Sequence, residues 1–166
     1  YYRAKSDVVQ GTIKADLGFA DLTSYTQYRK ESADASIELD YSGVEYFQLG
    51  LPNDNETFTQ ELLLTSKSGN RLQWVAGMFY FQNRDTYRVF FDYFPGFPPP
   101  AGPVLNRSFE FGSSATAKSY AGFLDMTYEV TPKLFITAGA RYAYDEVSNS
   151  YAQCAFCPVL PTTQAQ

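Results

Sequence analysis

The sequence predicts an all-β protein, an antiparallel up-and-down meander that forms about six strands of a larger transmembrane β-barrel. Apolar and polar residues alternate with a period of two in several segments, which is typical of β-strands. The longest of these segments reach the roughly 9–11 residues that a tilted strand needs to cross a membrane. The breaks between the predicted strands also alternate between short and long along the chain.

This alternation sorts the connections onto two ends of the sheet. Short breaks lie around Gly18, at 66–70 and at 131–133, and long breaks lie at 30–56 and 82–115. Alternate connections of an up-and-down barrel lie at the same end, so the short turns are predicted at one end and the long loops at the other. Outer-membrane barrels have this asymmetry, with short periplasmic turns and longer extracellular loops.

The first four predicted strands follow from alternation and from the turn residues that separate them. They are 8–17, 19–29, 57–65 and 71–81. The first strand has a clear polar face, whereas the second is rich in Thr and Tyr and its two faces are not distinguished. Gly and Asn within 66–70 predict the turn that joins the third and fourth strands.

The hairpin from Lys118 to Glu146 is the clearest element, with two alternating segments on either side of a turn at Pro132. Tyr120 and Tyr128 share the apolar face and lie roughly 26 Å apart at about 3.3 Å per residue. That is close to the separation of the two aromatic girdles of a membrane barrel. The polar face carries four charged residues: Asp125, Glu129, Arg141 and Asp145. These residues either contact a plug or a passing solute in the lumen, or provide only its general polarity.

Composition and charge exclude several classes of function. The net charge of −5 and the pI of about 4.7 argue against a nucleic-acid partner, which usually binds a basic patch. The absence of His removes the commonest general base and excludes a Ser-His-Asp arrangement within the chain. No phosphate-binding or dinucleotide-binding motif is present, so neither an enzyme nor a cofactor is expected. Asn53–Glu56 is rich in oxygen ligands, but its spacing fits a solvated turn better than a metal site.

The segment 87–97 is the candidate substrate-binding site, on the predicted long loop 82–115. Its candidate residues are Tyr87, Phe90, Phe91, Asp92, Tyr93, Phe94 and Phe97. Exposed aromatic side chains in an extracellular loop are plausible ligand contacts. They can equally pack the loop against itself, and both interpretations stay open.

Cys154 and Cys157 form a C-x-x-C pair near the end of the sequence. No βαβ pattern accompanies them, so a thioredoxin-like redox motif is not indicated. A metal site requires further ligands. A disulfide closing a tight loop outside the cytoplasm is therefore predicted.

Three stretches together resemble one family, the TonB-dependent outer-membrane receptors. They are DLTSYTQYR, FTQELLLTS followed by RLQWVAGMFYF, and KSYAGFLDMTYEVTPKLFITAGARYAYDE, within 9–30, 57–82 and 117–147. The resemblance implies a barrel of about 22 strands with a plugged lumen in the Gram-negative outer membrane. It implies active uptake of a bulky small molecule of the ferric siderophore, cobalamin or glycan class. The implied partners are membrane lipid, the substrate and the TonB protein, which binds through a plug domain.

No plug domain is found in the sequence, and residues 1–166 are therefore interpreted as part of a receptor barrel. The alternative is a soluble, secreted β-sheet binding module, such as a lectin-like sandwich. In that case the apolar faces of the strands would be buried in a core between two sheets.

Overall fold

A computed structural model describes residues 1–39, 41, 47–93 and 107–155, which form seven strands of one antiparallel sheet. The strands are β1 (Tyr2–Asp16), β2 (Ala20–Glu38), β3 (Phe47–Gly50), β4 (Asn53–Ser66), β5 (Leu72–Tyr93), β6 (Arg107–Thr131) and β7 (Leu134–Ala155). Over the described ranges, no helix has the length and apolarity needed to cross a membrane. The predicted all-β antiparallel meander is confirmed.

The seven strands occupy six positions in the sheet, because β3 and β4 share one of them. Both pair antiparallel with β2 on one side and with β5 on the other. They are separated only at Leu51 and Pro52, where Pro lacks the N–H that a ladder requires. Backbone bonds from Leu51 to Ala35 (2.8 Å) and from Arg88 to the Pro52 carbonyl (3.0 Å) hold this break in line with the sheet.

Strand pairing places the side chains on two faces of different chemistry. Tyr80, Tyr120 and Tyr144 are register partners, and the side on which they lie is here called the tyrosine face. The opposite side, here called the aspartate face, carries Asp125 and Asp145. Partners in the register share a face because side chains alternate along each strand.

The sheet is a single layer, and in the described residues no second sheet covers either face. Ala20 is the one described apolar residue that is fully buried. Large apolar side chains of the tyrosine face are correspondingly open, with Met78 68% and Tyr142 74% exposed. An apolar face of this kind requires a partner that removes it from water. The two-sheet core of the sandwich alternative does not form in the described residues.

The strands are longer than the sequence pattern predicted, and the predicted long loops are correspondingly wrong in extent. β5 continues to Tyr93 and β6 begins at Arg107, so most of 82–115 is paired strand. In the same way β2 extends to Glu38, β4 begins at Asn53 and β7 continues to Ala155. The extensions of β2 and β4 are mainly polar, whereas those of β5 and β6 also carry aromatic residues. Both kinds pair, since a backbone ladder does not require an apolar face.

The short turns lie at one end of the sheet, as predicted. They join Asp16 to Ala20, Ser66 to Leu72 and Thr131 to Leu134. Gly18 and Gly69 have φ angles of 84° and 95°, in the left-handed region that favours glycine. The strand extensions therefore all project from the opposite end.

Candidate functional site

The strand extension of β5 divides the predicted aromatic site between the two faces of the sheet. Tyr87 and Phe91 lie on the aspartate face, whereas Phe90 and Asp92 lie on the tyrosine face. The prediction that these residues lie on a loop is therefore wrong, because they belong to a strand along which neighbouring side chains alternate between the faces. Their contact with a substrate stays a prediction. Tyr93 ends β5, and Phe94 and Phe97 lie outside the described residues.

Tyr87 and Phe91 join residues of the next two strands in a group here called the outer aromatic wall. Its members are Tyr87, Phe91, Phe109, Phe111 and Tyr151. The Phe91 and Phe109 rings are 6.0 Å apart between centroids and tilted by 58°, within the range of favourable aromatic pairs. The sequence pattern missed the last three members because their segments were interpreted as loops. The alternation in FEFGSSA was the signal that could have revealed two of them.

Packing within the sheet accounts for an aromatic side chain at Phe90, so no ligand contact is needed to explain it. A Cβ added to Gly50 would overlap the Phe90 ring, so the ring occupies the space that glycine leaves on β3. The Gly50–Phe90 pair is also a register pair of the ladder. An aromatic ring over a cross-strand glycine is a known device for stabilising sheet edges and register.

A polar band follows on the aspartate face, between the outer aromatic wall and the short turns. Glu31, Asn55 and Asp85 are successive register partners across β2, β4 and β5. Glu31 accepts a hydrogen bond from Ser6 Oγ (3.2 Å) and forms an ion pair with Arg29 (3.4 Å). The band thus presents hydrogen-bond acceptors below an aromatic surface, an arrangement that suits a large solute with both polar and planar groups.

The four predicted polar residues of the hairpin lie on one face. Their register partners are Gly139 for Asp125, Phe135 for Glu129, Phe123 for Arg141 and Ser119 for Asp145. The Asp125 carboxylate lies over Gly139, where a side chain would collide with it. Nothing in the geometry assigns these residues a ligand, and their role stays a prediction.

The same face also carries aromatic residues that are not among the predicted site residues. Phe79 and Phe81 are nearly parallel, with centroids 6.4 Å apart and planes inclined by 7°. The Phe123 ring covers Gly77, where an added Cβ would overlap it. The aspartate face is therefore mixed rather than uniformly polar. Alternation along β5 places Phe79 beside Phe81, whereas the register between β5 and β6 places Phe123 over Gly77.

Charge at the short-turn end is concentrated on Lys67. Its ammonium contacts Asp16 (2.9 Å) and also Asp21. The hydrogen bond from Lys67 lowers the pKa of Asp16, and the bonds to Asp21 and Asp16 raise the pKa of Lys67. This cluster joins the β1–β2 turn to the β4–β5 turn.

Another ion pair lies on the tyrosine face of the strand extensions, where Lys30 contacts Glu56 at 3.0 Å. The hydrogen bond to Glu56 raises the pKa of Lys30. No group of three or more metal-binding side chains occurs in the part of the chain that the structure describes. Cys154 lies on β7 and Cys157 lies outside the described residues, so the disulfide stays a prediction.

A single antiparallel sheet with two chemically different faces and its tight turns at one end is the wall of a β-barrel. The family described as "TonB dependent receptor-like, beta-barrel" matches residues 1–160, and the chain belongs to this family. The predicted family resemblance is confirmed. No curated protein matches the chain.

Two solved structures are similar to the chain. The ferric yersiniabactin uptake receptor FyuA from Yersinia pestis has a TM-score of 0.70 and 17% identity, covering 93% of this chain and 22% of that chain. The siderophore receptor PiuA from Acinetobacter baumannii has a TM-score of 0.42 and 14% identity, covering 92% of this chain and 30% of that chain. At this identity the likeness to FyuA shows the fold alone. The chain spans less than a third of either structure.

Proposed function

We propose that the chain forms part of the barrel wall of a Gram-negative outer-membrane receptor for active uptake. The family assignment over residues 1–160 carries this proposal. The two-faced sheet supports it, since one face has the apolar composition of a lipid contact and the other the mixed composition of a lumen. A receptor of this kind transports its substrate and catalyses no reaction.

The orientation follows from the turns. The short turns, including the Lys67 cluster, lie on the periplasmic side, and the strand extensions lie on the extracellular side. The tyrosine face contacts lipid, and the aspartate face lines the lumen. TonB acts through a plug domain, around which this chain provides part of the barrel wall.

The substrate is a bulky small molecule of the ferric siderophore, cobalamin or glycan class. The outer aromatic wall and the polar band beneath it face the extracellular mouth of the lumen, where such a molecule enters. Of the residues predicted from the sequence to contact the substrate, Tyr87 and Phe91 belong to this wall. Its other members are Phe109, Phe111 and Tyr151. Asp125, Glu129, Arg141 and Asp145 line the passage further inside.

Growth of the source bacterium without this receptor tests the proposal. The deletion strain is grown in three media. In the first the iron is supplied only as a ferric siderophore, in the second cobalamin is the limiting nutrient, and in the third the carbon is supplied only as a glycan. The full-length gene should restore growth on one supply, and only when TonB is intact. Tyr87→Ala with Phe91→Ala should weaken that growth, whereas Thr86→Ala, on the other face of β5, should not. The proposed function is contradicted if growth on every one of these supplies is the same with and without the receptor and with and without TonB.

A further inference from the structure

The tyrosine face contains an apolar groove on the outer side of the barrel wall, away from the proposed substrate path. Its cavity volume is about 430 Å³. It is lined mainly by Leu62 on β4, Met78 and Tyr80 on β5, Tyr120 and Gly122 on β6, and Tyr142 on β7. Gln60 is the one polar amide in the lining.

Gly122 creates the groove. Its register partners are Met78 on one side and Tyr142 on the other, so a row of large side chains is interrupted at glycine. A Cβ at Gly122 would meet nothing nearer than the Gly77 carbonyl at 3.9 Å. Neither packing nor a positive φ requires glycine here. The notch is therefore open space, with Met78 and Tyr142 both largely exposed beside it.

The extracellular end of the groove changes from apolar to polar. Tyr80 and Tyr120 form a tilted ring pair with centroids 5.0 Å apart, and Tyr144 is the next register partner. Lys118 lies two residues beyond Tyr120 on the same face, roughly 7 Å further along the strand. Tyrosine rings and lysine side chains are typical of the boundary between acyl chains and headgroups.

Two cations beside this end have no ion pair in the described part of the chain. Arg84 and Lys118 lie on neighbouring strands of the tyrosine face, two residues apart in register. Glu146 is opposite Lys118 in the register, yet the two form no salt bridge. Glu56, the register partner of Arg84, forms its ion pair with Lys30 instead. Two cationic side chains without an ion pair in the described ranges thus lie beyond the extracellular end of the apolar groove.

We infer that the groove binds one acyl chain of an anionic lipid of the outer leaflet, whose phosphate is held by Lys118 and Arg84. The inference rests on the proposed placement of the tyrosine face against the membrane. A lipid fits this groove because the groove continues the lipid-facing surface and combines an apolar lining with cations at one end. Basic pockets beside apolar surface are known to bind lipid headgroups.

Native mass spectrometry of the purified full-length receptor tests the inference. The protein is exchanged into detergent with phosphatidylglycerol or phosphatidylcholine of the same acyl chains. The wild type should retain one lipid and prefer phosphatidylglycerol. Gly122→Leu should fill the notch and abolish retention, while Gly11→Leu should not. Gly11 is the matched control because it lies on the same face with no atom near its Cβ position.

The headgroup contact has its own variant. Lys118→Gln should reduce the preference for phosphatidylglycerol about fivefold, the effect expected for one basic residue near a lipid surface. Lys14→Gln, on the aspartate face, should leave the preference unchanged. Failure of the wild type to retain lipid, or equal retention by Gly122→Leu, overturns the inference. So does a wild-type dimer that Gly122→Leu dissociates, because a second copy would then occupy the groove.

Failure of the lipid site can be distinguished from failure of the proposed function. Gly122→Leu faces away from the lumen and should support growth as the wild type does. If uptake is normal while the groove binds no lipid, only the lipid site is wrong. If the wild-type receptor is absent from the outer-membrane fraction, the proposed function itself is wrong.

Discussion

Replacing Ala140 by arginine is expected to destabilise the membrane-inserted barrel by about 2–4 kcal/mol, the cost of a cation on the lipid face near the midplane. Ala140 lies on the tyrosine face of β7, paired with Leu124. It is six residues beyond Leu134, the first residue of the strand, hence roughly 20 Å along it. With a strand tilt of about 40°, the depth is roughly 15 Å, half of a bilayer core of about 30 Å.

Two variants on the same strand isolate the effect of face and depth. Ala143→Arg places the same side chain on the aspartate face, where a lumen tolerates charge, and should cost much less. Ile136→Arg keeps the tyrosine face but lies only two residues beyond Leu134, beside Tyr128 in the register. At this interfacial depth the expected cost is about 0–1 kcal/mol.

The measurement is urea unfolding of the full-length receptor refolded into phospholipid vesicles, followed by tryptophan fluorescence. A loss of 2–4 kcal/mol corresponds to about 30- to 1,000-fold in the folding equilibrium constant. Equal costs for Ala140→Arg and Ala143→Arg would refute the assignment of faces. Equal costs for Ala140→Arg and Ile136→Arg would refute the assignment of depth.

Three further predictions concern the aspartate face, the turn cluster and the cysteines. Gly77→Ala should lower the free energy of unfolding by about 1–3 kcal/mol in the same assay, because the new methyl group displaces the Phe123 ring. Gly122→Ala, with free space at its Cβ, should leave the free energy of unfolding unchanged. An unchanged free energy for Gly77→Ala would contradict the packing of Phe123 over Gly77. Lys67→Gln should lower the urea midpoint at neutral pH. The lowered pKa of Asp16 contributes stability above the ordinary value of 3.8 that is lost as pH falls through the folded value, so the difference should shrink below about pH 4. A stability difference that grows towards acid would show that the Lys67 cluster does not stabilise the turns. Cys154 and Cys157 should give no thiol signal in natively exported protein until reductant is added, and two reactive thiols beforehand would exclude the disulfide.

Strand periodicity and turn chemistry were readable from the sequence because both are local. The alternation around Tyr120 and Tyr128 identified the hairpin, and the polar partners Asp125 and Arg141 were assigned to one face. Gly18 and the Gly69 turn marked the short connections correctly. These signals depend on residues a few positions apart, so a period of two can be recognised within one strand without knowing which strands lie beside it.

The ends of the strands, and the residues that share the candidate site, could not be predicted from the sequence pattern. Beyond the apolar band, pairing continues through backbone hydrogen bonds to which composition is nearly indifferent, so β5 and β6 extend into segments that look like loops. The extension decides that Tyr87 and Phe91 face one way and Phe90 the other.

Alternation and turn residues in the sequence are enough to predict an antiparallel, two-faced sheet with its tight turns at one end. They do not show which side chains meet across strands, since register is a property of two segments and not of either alone. The tertiary structure placed the Phe123 ring over Gly77 and opened the groove at Gly122 between Met78 and Tyr142. A glycine is visible in any sequence, but whether the space beside it is filled or empty depends on what the neighbouring strand brings to it.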